Sequence, residues 1–173
     1  MQSIQRTSSS TTLSSPVIEF LKRPLATQLA TANPSGSPQQ TIMWFKYEEG
    51  DFLFTTTTDR VKFRNYQHDP RASLTILDPE NMRKWVIVTG TLSVDNRDPL
   101  AFYQSLAEHY LDEQRLAEWR RTAVLERRTV LRLMPQWIRT MGFPDVWLPR
   151  VRTRSTCASR FDGGRRGGSR MCP

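Results

Sequence analysis

The sequence predicts a mostly β fold, a six-stranded antiparallel barrel with accessory helices, and three observations predict it. Short runs rich in threonine, β-branched and aromatic residues recur between turn signals at 34–37 (PSGS), 48–50 (EEG) and 78–81 (DPEN). The apolar spacing switches to three and four residues beyond Asp98, through Leu100, Tyr103, Leu106, Ala107, Tyr110 and Leu111. Strand character then returns at Thr129 to Met134 and extends past Pro135 over Gln136 to Thr140, which gives a sixth strand to close the sheet.

Taken in order, residues 1–14 are rich in Ser, Thr and Gln and predict an unstructured segment. Ser14 or Ser15 offers an N-cap, with Pro16 in the first turn and Val17, Ile18, Phe20 and Leu21 giving a short helix one apolar side to cover a barrel end. Leu25–Asn33, Gln39–Tyr47 and Asp51–Thr57 read as three strands in a meander. A helix over 59–68 follows, capped by Asp59 or Thr58 and stopped by Asp69-Pro70, because the residue before proline avoids helical angles. Ala72–Leu77 and Lys84–Val94 are the fourth and fifth strands, and Gly90 inside the fifth predicts a bulge or barrel corner. Amphipathic helices fill 98–121, with Leu116 and Trp119 in their second segment. One domain therefore spans 15–145, followed by a basic Arg/Gly-rich tail over 146–173 that should not pack.

Charge and cysteine usage exclude several classes. The formal charge is +8, yet the segment from Arg150 to Pro173 holds seven arginines against Asp162 alone, so the other 149 residues carry only +2. That tail lacks aromatic interleaving beyond Phe161, so the high pI does not argue for nucleic acid. Cys157 and Cys172 both lie in it, and with only His68 and His109 elsewhere no zinc spacing or disulfide framework emerges. The start of the chain shows no apolar run, so no membrane span is expected and a cytoplasmic location is.

The chemistry concentrates in 55–65 (TTTTDRVKFRN), where a strand runs into a loop and a helix start. Unpaired backbone N–H groups, the helix dipole, Arg60 and Lys62 together suit a phosphate or carboxylate. A capped surface helix with solvated cations fits the same residues. No Ser/His/Asp set, acid dyad or metal cluster accompanies the stretch.

The order of elements, with Phe54-Thr55-Thr56 leading to Arg60-Val61-Lys62, then 69–74 (DPRASL), then 84–90 (KWVIVTG), resembles the split β-barrel flavoproteins typified by pyridoxamine 5′-phosphate oxidase. The segments 29–31 (LAT), 33–39 (NPSGSPQ), 43–45 (MWF) and 59–65 (DRVKFRN) are similar to the branch that binds the deazaflavin coenzyme F-420. The resemblance runs from about Pro16 to Gly142. It implies an oxidoreductase that uses F-420 to pass hydride to an unsaturated small-molecule substrate, working as a homodimer whose groove lies between two barrels. FMN is the alternative cofactor, since both present a phosphate below a tricyclic ring, and a barrel that binds flavin or ligand without turnover is the alternative class. Arg60 and Lys62 would hold the phosphate, with Thr56, Thr57 and Thr58 as hydroxyl donors. Gln39 and Thr41 resemble positions lining the ring, or are ordinary barrel-surface polarity. Met43, Trp44, Trp85 and Trp137 would wall the ring or fill the core. Trp85 stands where the oxidases carry glutamine, and nothing in 150–173 matches the oxidase segment that grips a substrate phosphate. Trp85 faces the groove on this reading, unless strand alternation turns it inward and leaves Val86 and Val88 there.

Overall fold

The structure is a computed structural model that describes residues 13–123 and 125–144. All but the last two residues of the expected unstructured N-terminal segment, and the whole expected tail from 146, lie outside the described residues.

The elements run α1 (Ser15–Leu21), β1 (Thr27–Ala32), β2 (Pro38–Met43), β3 (Lys46–Glu48), β4 (Asp51–Thr57), α2 (Val61–His68), β5 (Arg71–Leu77), β6 (Trp85–Asp95), α3 (Pro99–Tyr110), α4 (Glu113–Thr122) and β7 (Arg128–Met141). They form one antiparallel sheet in the order β2-β1-β5-β6-β7-β4-β3. Seven strands replace the expected six because the run read as Gln39–Tyr47 breaks at Trp44 and Phe45. Its halves are β2 and β3, the two opposite edges of the sheet. Three Cα steps join them and span about 11 Å at most, so the edges must curl towards each other into a barrel.

Tertiary contacts make that break. Phe45 is buried in the core, while Trp44 stacks on Tyr110 at 5.0 Å between ring centroids. The Tyr110 hydroxyl accepts from the Phe45 backbone N–H at 3.1 Å and lies 2.7 Å from the Leu25 carbonyl, to which it donates. Burial pushes this phenol up to about 12, against the opposing hydrogen bond from Phe45. Tyr110→Phe should therefore cost about 1–3 kcal/mol, the penalty for leaving a buried backbone donor without its partner. Urea denaturation measures it, and an unchanged midpoint would remove Tyr110 as the pin of the crossing.

The core follows strand alternation. Leu29, Leu74, Ile76, Val86, Val88 and Leu133 are fully buried, and Val17, Phe20 and Leu21 of α1 pack into the same cluster, as the short helix was expected to do. β4 is buried beyond the alternation pattern because α3 covers its other side. Phe52 and Phe54 belong to the main cluster, whereas Leu53 packs with Phe102, Leu106 and Val130. The apolar side of α3 is thus largely spent inside the chain. Asp98 and Asp112 cap α3 and α4 by accepting from the N–H groups of Leu100 and Arg115.

The bulge expected at Gly90 is present, a register shift between Thr89 and Gly90 opposite β7. Pro135 lies in the shifted register, so its missing N–H interrupts no regular ladder. No helix among the described residues is long and apolar enough to cross a membrane.

Candidate functional site

Three elements meet at the C-terminal end of β4. Its threonines Thr55, Thr56 and Thr57 pair with Val130, Thr129 and Arg128 of β7, which brings Arg128 beside the loop into α2. The N-cap of α2 is Arg60, whose side chain makes no cap bond, rather than the expected Asp59 or Thr58. Asp59 is held elsewhere. A hydrogen bond from the Thr57 hydroxyl, followed by one from its own backbone N–H, keeps its carboxyl below the usual range.

A cavity of about 200 Å³ opens here, lined by Met43 and Trp44, by Thr55, Thr56 and Thr57, by Arg60 and Lys62, and by Ile42, Tyr103, Leu106 and Arg128. A second cavity of about 580 Å³ adjoins it towards α4 and shares Thr57, Arg60, Tyr103 and Arg128. Burial lowers the Lys62 ammonium below its ordinary value, and the nearby Arg60 lowers it further. The Arg128 guanidinium lies 3.5 Å from the centroid of the Tyr103 ring. Burial lowers it too, with Arg60 adding to the effect and Tyr103 opposing it. Cations crowded together and partly desolvated are electrostatically costly, and an anion between them relieves that cost.

The predicted residues divide. Arg60, Lys62, Thr56, Thr57 and Met43 line the first cavity together. The Thr56 hydroxyl has only a long 3.5 Å bond to the Thr57 carbonyl and can turn to a ligand, while Thr55 donates at 3.1 Å to the Thr129 carbonyl. Thr58 is exposed, outside the lining, and its N–H donates to the Arg127 carbonyl. Gln39 and Thr41 also stand outside it. Gln39 accepts from Thr31 and donates to the Thr41 hydroxyl and the Gln40 carbonyl. Trp85 lies away from the cavity: Val86 and Val88 are buried in the core, so Trp85 is on the outer face of β6, with Arg139 6.0 Å from its ring. Trp137 is half exposed on β7.

Sequence reasoning missed Tyr103, Leu106 and Arg128 as site residues. Arg128 enters through its pairing with Thr57, and Tyr103 and Leu106 through the packing of α3 over β4. Neither contact leaves a local pattern.

The donor set fits a phosphate-bearing planar cofactor, with cations and hydroxyls at one end and Met43, Trp44 and Leu106 as an apolar wall beside them.

Comparison with known proteins agrees with the split-barrel fold. Among solved structures, an F-420 reductase is 30% identical with a TM-score of 0.60, over 70% of this chain and 94% of that one. A conserved hypothetical protein from Mycobacterium tuberculosis is 20% identical with a TM-score of 0.61, over 93% and 98%. The heme storage protein HutZ from Vibrio cholerae is 21% identical with a TM-score of 0.58, over 75% and 95%. These last two show the fold alone. No curated protein sequence matches the chain. The sequence profile of pyridoxamine 5′-phosphate oxidase matches residues 16–142, nearly all of the described barrel, and the chain belongs to that family.

Proposed function

We propose that the protein is an oxidoreductase that binds coenzyme F-420 and transfers hydride to an unsaturated small molecule. The observation that carries this is the partly desolvated Lys62 ammonium beside Arg60, facing threonine hydroxyls and an apolar wall in one cavity. Likeness to an F-420 reductase at 30% identity supports deazaflavin over FMN.

Bound there, the cofactor would supply the hydride from C5 of its ring. Arg60 and Lys62 bind the phosphate, Arg60 as a planar fork and Lys62 as a point charge. Thr56 turns its hydroxyl to the same oxygens. Met43 and Trp44 orient the ring and exclude water from one side, and Tyr110 beneath Trp44 keeps that wall in place. We propose a second copy of the chain as the partner that covers the outer sheet face, where Ile42, Trp137 and Met141 are exposed. The groove would then lie between two barrels.

Titration of the purified protein tests the reading. Colourless protein that quenches F-420 fluorescence, and whose reduced F-420 is oxidised by an added quinone or enone, is the expected result. A bound yellow FMN would replace F-420 by FMN. F-420 binding with no substrate oxidising it would make the protein a carrier.

A further inference from the structure

We propose that Asn65 is a positioning residue for the anion site: its buried carboxamide ties the helix that carries Arg60 and Lys62 to the strand that carries Met43. The inference rests on the reading of Arg60 and Lys62 as cofactor ligands.

Asn65 sits inside α2, where asparagine is a poor helix former, and it is only 1% exposed. Burying a carboxamide is unfavourable unless its polar atoms are bonded. Both Nδ2 protons have partners: Asn65 donates to the Thr31 hydroxyl at 3.0 Å and to the Asn33 side-chain oxygen at 3.1 Å. Thr31, only 4% exposed, donates in turn to Gln39 Oε1 at 2.9 Å. Gln39 then donates to the Thr41 hydroxyl. The relay runs one way, from α2 through β1 into β2, and chains of donors aligned in this manner polarise and strengthen one another. It accounts for Gln39 and Thr41, which the cavity does not use.

The two ends of the relay reach the two walls of the site. Lys62 is three residues before Asn65, on the same flank of the helix. Met43 is two residues beyond Thr41 on the same side of β2, and it lines the cavity with Lys62. Phe63 and Tyr66 also hold α2, by packing against the core. Apolar packing is non-directional and lets a short helix rotate or slide, whereas the amide bonds set its angle. Asn65 therefore governs where the Lys62 ammonium stands relative to the wall formed by Met43.

A double-mutant cycle on F-420 binding, run beside thermal denaturation, tests this, with FMN as the probe where F-420 does not bind. Asn65→Ala should weaken binding about three- to thirtyfold, inside the range of couplings between residues of one network. Thr31→Val keeps the shape of Thr31, leaves α2 untouched, and should weaken binding in the same direction. It decides the matter if Asn65→Ala does not fold. In the Lys62→Ala background both changes should have little further effect, because the cation they position is gone. Unchanged affinity in Thr31→Val, or full additivity with Lys62→Ala, would confine Asn65 to a stability role and overturn the proposal. Unchanged affinity in Lys62→Ala alone would instead overturn the site reading on which it rests.

Discussion

Lys62→Ala is expected to weaken F-420 binding about ten- to a hundredfold while the fold stays intact. The size follows from losing a charge-assisted contact of about 1.5–3 kcal/mol. The fold should survive because Lys62 has no salt-bridge partner among the described residues and is already penalised by burial and by Arg60. Removing it relieves that repulsion, so the melting temperature should hold or rise slightly. The wild-type protein carries a matching pH signature. The Lys62 ammonium lies below the ordinary 10.5 without ligand, so affinity for the anion should be full at neutral pH and fall as pH rises through this lowered value. In Lys62→Ala the alkaline decline should flatten. Fluorescence titration across pH measures both, and equal affinity of the two proteins at low salt would take Lys62 out of the site.

Gly90→Ala is expected to be the most destabilising single methyl in the barrel. A Cβ at Gly90 would stand 2.1 Å from the Met134 carbonyl oxygen, 2.9 Å from its carbon and 3.1 Å from the Pro135 Cα. All three are backbone atoms, so no side chain can rotate away. Relief requires parting β6 from β7, which hold the longest ladder of the sheet. A cost of about 3 kcal/mol or more is expected, at the upper end of overpacking effects. Gly36→Ala serves as the control. Gly36 has φ +84° in the β1–β2 turn, but nothing lies within 4 Å of a Cβ there. Its cost should be only the roughly 1–2 kcal/mol of holding alanine in a left-handed conformation. Thermal or urea denaturation ranks the two, and a Gly90→Ala protein as stable as the control would show that the bulge relaxes around the methyl.

Where sequence reading succeeded, the signal was local. The bulge was legible because a glycine interrupts a long β-rich run, and α3 because its apolar spacing changes period at Asp98. That Arg60 and Lys62 line one cavity follows from their standing together at a strand-to-helix junction. Trp85 illustrates the opposite case. Alternation along β6 allowed Trp85 to face either the groove or the barrel interior, and the burial of Val86 and Val88 decides for the outer face; which outer residues surround the cavity then depends on strand order, which the period of 2 does not carry.

The sequence by itself determined the β-rich class, the helix that carries the cations, the bulge at Gly90 and the family, because propensity, turn chemistry and motif spacing act over a few residues. Only the tertiary structure decided that the run 39–47 breaks at Trp44 and Phe45, that Arg128 and Tyr103 join the cavity, and that Gln39 and Thr41 belong to a relay from Asn65. Each of these depends on groups far apart in the chain. Tyr110 reaches back 65 residues to the Phe45 amide, and Asn65 reaches 34 residues to Thr31. Such pairs meet only once the sheet has closed, since burial and hydrogen bonding reward a long-range contact only after the chain entropy of forming the loop between them has been overcome.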